Sequence, residues 1–217
     1  MRLEPLSDQA VMAYCVDENQ ATLLAAHVRL AAPAWCVDVV QAYVSVAIYY
    51  DLAAVDFAAV CSWLALQTEQ STAPAEAGKL HIIPCCYEFG LDFERITQHA
   101  KLSRDDIIRL HTGFAYTVYA IGFCPGFPYL GYLPDALASV PRLESPRLKV
   151  DAGSVGLTGR QTGIYTEARP GGWNIVGRTP LQLVDVKDEY FPLRTGDRVR
   201  FERIDEGKFR KMVGQRL

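Results

Sequence analysis

Arg147–Thr179 reads RLKVDAGSVGLTGRQTGIYTEARPGGWNIVGRT. Short runs rich in β-branched and aromatic residues alternate here with glycine-bearing turns, which is the pattern of successive short strands. The same texture begins at AYTVYAIGF (Ala115–Phe123) and returns in LQLVDV (Leu181–Val186) and DRVRFERI (Asp197–Ile204). Helix signals nearly vanish after Phe114, and strands at this spacing predict a closed or nearly closed barrel. Within the run, Pro170 and Gly171 predict the centre of a type II turn ahead of a strand that carries Trp173.

Working back from the barrel, HIIPCCYE (His81–Glu88) reads as a strand and DFERITQHA (Asp92–Ala100) as a helix. SRDDIIRL (Ser103–Leu110) is a second helix, with Ser103 as N-cap and Asp106 at the third helical position, close to a capping box. Apolar periodicity stops in TEQSTAPAEAGKL (Thr68–Leu80), a stretch of small and polar residues that reads as a linker. Before it the order is strand (AVMAYC, Ala10–Cys15), helix (Glu18–Leu30, stopped before Pro33), two strands (VVQAYVSVAIYYD, Val39–Asp51) and a helix (FAAVCSWLAL) capped by Asp56. The fold class is therefore an α+β amino-terminal domain over residues 1–78, its helices on one face of an antiparallel sheet, followed by a mainly β barrel domain over 79–217.

Composition excludes several function classes. The 217 residues are half hydrophobic, enough for a real core without covalent staples. The 22 basic and 25 acidic residues leave a net charge of −3 with no long block of either sign, so the footprint of a nucleic-acid binder is missing. Acids interrupt every apolar run of the first twenty residues, and nowhere do eighteen apolar residues follow one another. The expectation is a cytoplasmic protein without a membrane partner. Cysteines at 15, 36, 61, 85, 86 and 124 show no C-x-x-C spacing, so they read as free thiols, and no histidine has a metal-ligand companion.

Chemistry-bearing residues are sparse. IGFCPGFPYLGYLP (Ile121–Pro134) leaves the strand before it through glycines and prolines and holds aromatic rings on a stiff loop. Phe123, Phe127 and Tyr129 either line a pocket or plug one end of the barrel. AGSVGLTGRQTG resembles a phosphate cradle, but Gly153 and Gly159 are separated by five residues and Arg160 follows, which is not a Walker A loop. Ser154 misses the G-x-S-x-G elbow because Ala152 stands where the first glycine belongs. His111 lies thirteen residues before Cys124, a nucleophilic couple only if the fold brings the two within hydrogen-bond reach. Arg142, Arg147, Lys149, Arg160 and Arg178 gather positive charge around the glycine turns, as a carboxylate or phosphate site or as a solvated rim.

The ordered motifs Gly122-Phe123, Pro125-Gly126-Phe127, Tyr129-Leu130, Ala152-Gly153-Ser154-Val155, Gln161-Thr162-Gly163 and Pro170-Gly171-Gly172-Trp173 resemble the KipI/PxpB family, also labelled allophanate hydrolase subunit 1, over essentially the whole chain. The resemblance implies that the barrel is cyclophilin-like. It also implies the B subunit of an ATP-dependent 5-oxoprolinase, which opens 5-oxo-L-proline to L-glutamate together with A and C subunits, the KipA-like C subunit being the direct partner. ATP is then used by the complex, and the chain alone is inactive. Other members of the family inhibit a sensor histidine kinase, and related domains occur in biotin-dependent urea carboxylases. The site expected here is a substrate or interface pocket of Phe123, Phe127, Tyr129, Arg147, Gln161, Thr162 and Trp173. His111 is the candidate acid-base group, Arg147 the preferred anchor for a substrate carboxylate, and no metal is expected. Cysteine is not required by the family pattern at position 124, so Cys124 is expected to be a packed thiol.

Overall fold

The computed structural model of the chain describes residues 1–67 and 78–217, which fall into two compact units, Met1–Ala77 and Gly78–Leu217. Most of the linker expected at Thr68–Leu80 lies at 68–77, outside the described residues.

In the first unit, β1 (Arg2–Ser7), β2 (Ala10–Tyr14), α1 (Glu18–Ala31), β3 (Cys36–Ala42), β4 (Ser45–Tyr50) and α2 (Phe57–Gln67) follow one another. The strands form an antiparallel sheet in the order β1-β2-β4-β3. Alternate residues Val11 and Ala13 of β2 and Val46, Ile48 and Tyr50 of β4 share one cluster with Leu24 and Val28 of α1 and Val60 and Leu64 of α2. The period-two stripe of the strands thus meets the three-to-four stripe of both helices, which cover one face. Each helix is capped by an aspartate: Asp17 Oδ1 accepts from Gln20 N–H at 2.7 Å and Asp56 Oδ1 from Ala59 N–H at 2.8 Å. Such caps are worth about 1 kcal/mol apiece. The sequence reading missed β1, an edge strand that contains Pro5 and is mostly exposed, so it carries no alternation to read.

The second unit contains β5 (Leu80–Cys86), α3 (Phe93–Ala100), α4 (Arg104–Thr112), β6 (Ala115–Ile121), β7 (Pro128–Gly131), β8 (Arg147–Val150), β9 (Ser154–Thr158), β10 (Gln161–Ile164), β11 (Arg169–Gly171), β12 (Asn174–Arg178), β13 (Arg198–Ile204) and α5 (Glu206–Met212). Seven strands close a barrel in the order β10-β7-β6-β13-β5-β12-β9, and β8 and β11 pair as a separate ribbon. Every barrel contact is antiparallel except β13 with β5. Ile83, Val118, Leu130, Val155, Ile164, Val176 and Val199, one from each barrel strand, meet in a single buried cluster, which is the barrel interior. Burying each such aliphatic side chain contributes roughly 1.5–3 kcal/mol.

Three expectations about this unit need correction. Leu181–Val186 is not a strand; its amides turn instead to Gln215 O and Tyr190 O, leaving only isolated bridges. Pro170 and Gly171 do not centre a turn but lie in β11, whose register shifts between Arg169 and Gly171, and such a bulge tolerates a proline. Helix α5 went unread because it buries none of its residues and so has no apolar stripe, although Asp205 Oδ1 caps it from Lys208 N–H at 2.7 Å.

Candidate functional site: an aromatic cavity on the outer barrel wall

Adjacent residues of the barrel strands face opposite ways. Leu130 and Val176 belong to the interior cluster, whereas Tyr129 and Ile175 belong to a second cluster with Cys124, Phe127, Val150, Tyr165 and Trp173. The aromatic loop therefore packs against the outer wall, and β8 of the ribbon contributes Val150 to the covering layer. Neither a ring-lined pocket nor a ring plug forms at a barrel end.

Two glycines make this packing possible. A Cβ on Gly163 would lie 2.8 Å from Pro128 O and 3.0 Å from both Phe127 Cζ and Trp173 Cζ3, and one on Gly171 would collide with the Tyr165 hydroxyl. The bare backbone of β10 is thus the surface on which Phe127 and Trp173 rest. Phe127 lies 4.9 Å from Tyr129, 5.3 Å from Tyr165 and 5.5 Å from Trp173, centroid to centroid, each edge to face. Ring quadrupoles favour this geometry by about 0.5–1.5 kcal/mol per pair.

These rings wall a cavity of ≈ 250 Å³, closed further by Phe123, Pro146, Pro170, Gly171, Gly172 and Arg142. Phe123, Phe127, Tyr129 and Trp173 of the expected pocket line it; Arg147, Gln161 and Thr162 do not. Sequence reasoning missed Tyr165, which sits in a strand-like run with no mark of its own. It noted Arg142 only as one of five cations. Phe123 has φ +67 and is 59% exposed, held by a three-residue turn in which Cys124 N–H donates to Gly122 O at 2.8 Å. Burial raises the phenol pKa of Tyr129 and of Tyr165 while Arg142 pulls the other way, so both hydroxyls stay protonated at neutral pH.

Arg147 is not an anchor for a ligand. Its Nη2 donates to Asp92 Oδ1 at 2.5 Å, and Asp92 Oδ2 accepts from Ile175 N–H at 2.6 Å, so the guanidinium ties β8 to β12 through the carboxylate before α3. The other cations disperse as well. Lys149 and Arg178 flank Asp151 at 3.2 and 3.8 Å, and Arg160 lies over the Tyr132 ring.

His111 is a core residue rather than an acid-base group. It is fully buried and stacks on Phe201 at 4.5 Å. Thr162 Oγ1 donates to Gly156 O at 2.9 Å, so its remaining capacity is to accept from His111 Nε2–H at 3.0 Å. Nδ1 then accepts from the Tyr87 hydroxyl at 2.7 Å. Both ring nitrogens are occupied, and burial drives the imidazole pKa down to about 3. Cys124 belongs to the outer-wall cluster, with Sγ 3.4 Å from Thr166 Oγ1, so it forms no couple with this histidine.

The glycine-rich run makes no phosphate cradle. Ser154–Thr158 is a fully buried strand paired on both sides, by β10 and β12, which commits its backbone. Gly159, with φ +50, opens the two-residue turn into β10.

With this geometry in place, the relatives are informative. Residues 1–193 match the family described as carboxyltransferase domain, subdomain C and D. The chain belongs to this family. Within it the chain falls with the KipI/PxpB proteins, being 46% identical over 127 residues to the 5-oxoprolinase B subunit of Bacillus subtilis, or 57% of this chain and 52% of that protein. The protein of the same name from Escherichia coli O157:H7 is 45% identical over 142 residues, 64% of this chain and 65% of that one. The matches thus span between half and two-thirds of those relatives. The crystal structure of TTHA0988 superposes with a TM-score of 0.78 at 32% identity, covering 91% of this chain and 40% of the other. The urea amidolyase of Kluyveromyces lactis shares the fold, with a TM-score of 0.75 at 16% identity over 96% of this chain and 15% of that one.

Proposed function

We propose that the chain is the B subunit of an ATP-dependent 5-oxoprolinase complex, which converts 5-oxo-L-proline to L-glutamate with an A subunit and a KipA-like C subunit. The observation that carries this reading is the 45–46% identity to two bacterial proteins named for that role. The aromatic cavity agrees with it in scale. Its ≈ 250 Å³ equals about eight waters of liquid volume, room for one small ring compound and below the range of drug-sized pockets.

The amide of a five-membered lactam is resonance-stabilised, and ATP hydrolysis supplies the driving force for opening it. This chain's part is to bind and orient: apolar rings exclude water around the lactam while polar groups at the edge fix its direction. The base and the nucleotide site belong to the assembled complex, in which this cavity forms one wall.

Reconstitution tests the reading. Release of ADP and glutamate from 5-oxoproline is expected with all three subunits together and in none of the mixtures that omit one. Robust ATP-dependent glutamate formation by the purified chain would refute the composite site. A complete mixture that leaves 5-oxoproline intact would refute the oxoprolinase reading itself.

A further inference from the structure

Arg142 differs from every other cation around the cavity. Arg147 is committed to Asp92, Lys149 and Arg178 to Asp151, and Arg160 to the face of Tyr132. Among the described residues, the Arg142 guanidinium has no acid, carbonyl or ring partner, and it is the one charged group on the cavity lining.

Its backbone, by contrast, is fixed from three sides. Pro141 O accepts from Asn174 Nδ2 at 2.9 Å, Arg142 O accepts from Arg95 Nη2 at 3.3 Å, and Leu143 N–H donates to Gly172 O at 2.8 Å. Asn174 is itself fully buried, donating also to Leu157 O and accepting from Arg95 Nε at 3.1 Å. A pinned main chain beneath an uncommitted guanidinium is the arrangement of a preorganised anion anchor, since little is left to order when a carboxylate arrives.

We propose that the cavity is a binding site for a small cyclic carboxylate, with the ring between the aromatic walls and the carboxylate held by the Arg142 guanidinium. The bidentate fork of arginine matches a carboxylate in plane and spacing. The apolar walls take the ring, and the neutral phenols of Tyr129 and Tyr165 leave no anion there to repel the ligand. This rests on the oxoprolinase reading only for the identity of the carboxylate, 5-oxoproline. The anion site itself stands on the cavity.

The test is isothermal titration of the full chain, alone and within the reconstituted complex, with L-5-oxoproline and with 2-pyrrolidinone, the same lactam without a carboxylate. The Trp173 indole N–H resonance reports occupancy of the cavity. Expected is measurable 5-oxoproline binding that shifts Trp173, at least tenfold tighter than that of 2-pyrrolidinone. Arg142→Met should weaken 5-oxoproline by tenfold or more and leave 2-pyrrolidinone unchanged, and Arg142→Lys should recover part of the loss. Equal affinity for the two probes, an unchanged dissociation constant in Arg142→Met, or no binding either to the chain or to the complex would overturn the proposal. The two readings fail separately. Turnover of 5-oxoproline that is indifferent to Arg142→Met keeps the oxoprolinase and removes this anchor. Arg142-dependent binding of 5-oxoproline by a complex that never opens it keeps the anchor and removes the oxoprolinase.

Discussion

The Tyr87 hydroxyl lies 2.7 Å from His111 Nδ1 in a fully buried contact. With Nε2 occupied by Thr162, the imidazole is neutral when folded, its pKa driven down to about 3 by burial, against about 6.5 when unfolded. The unfolded chain therefore binds a proton here that the folded chain refuses, so stability is lost as pH falls below about 6.5 and continues to fall towards 3. This one group contributes a slope of up to about 1.4 kcal/mol per pH unit. Urea unfolding of wild type and His111→Gln between pH 7 and 4 should show that extra slope in the wild type alone. Parallel slopes would show that His111 does not cause it.

Arg147→Met should destabilise the second unit. Asp92 is 7% exposed and would keep only the Ile175 amide, leaving a nearly buried carboxylate without its counter-charge. Breaking such a pair from one side costs about 3 kcal/mol, or a fall of roughly 6–12 °C in melting temperature. A melting curve decides it, and an unchanged midpoint would return Arg147 to the list of ligand-binding candidates. The sequence reading gave this residue a substrate role and a nearly neutral effect on stability because its partner lies 55 residues upstream.

Phe123→Gly separates stability from function. Glycine relieves the left-handed backbone, worth about 1–2 kcal/mol, and gives up two edge-to-face contacts of a half-exposed ring along with some chain entropy. The melting temperature should hardly move, whereas the KM for 5-oxoproline in the reconstituted complex should rise at least threefold because the rim of the cavity is gone. A KM equal to that of wild type would place the ring outside the site.

Cys124→Ala should change turnover of the complex by less than tenfold, under about 1.4 kcal/mol of barrier. The thiol packs among Phe127, Tyr165 and Trp173 and is 7% exposed. A loss of several orders of magnitude with normal melting would make it a nucleophile.

Much of the barrel could be read from the chain because its strands are short, glycine-bounded and rich in β-branched and aromatic residues. The aromatic loop was visible for the same reason. What escaped reading depends on tertiary partners or lacks a period. Edge strand β1 and helix α5 bury too little to leave a stripe. Arg142 and Arg147 look alike in sequence, and only Asp92, brought in from the start of α3, shows which of them is spent. His111 looked reactive because nothing local reveals Tyr87 and Thr162, which close around it from β10 and from the turn after β5.

The parallel pairing of β13 with β5 joins residues 118 positions apart, Leu80 with Arg198 through Cys86 with Ile204, and β13 also supplies the neighbour of β6. On the ribosome, β5 therefore emerges long before the strand that fills the gap beside it. At about 5–20 residues per second the gap stays open for roughly 6–24 s of synthesis, with two sticky strand edges exposed to neighbouring nascent chains. The last strand acts as a zipper drawn at the end of translation. Yield in the cell should then depend on how fast the final stretch is translated and on chaperones that shield the open seam.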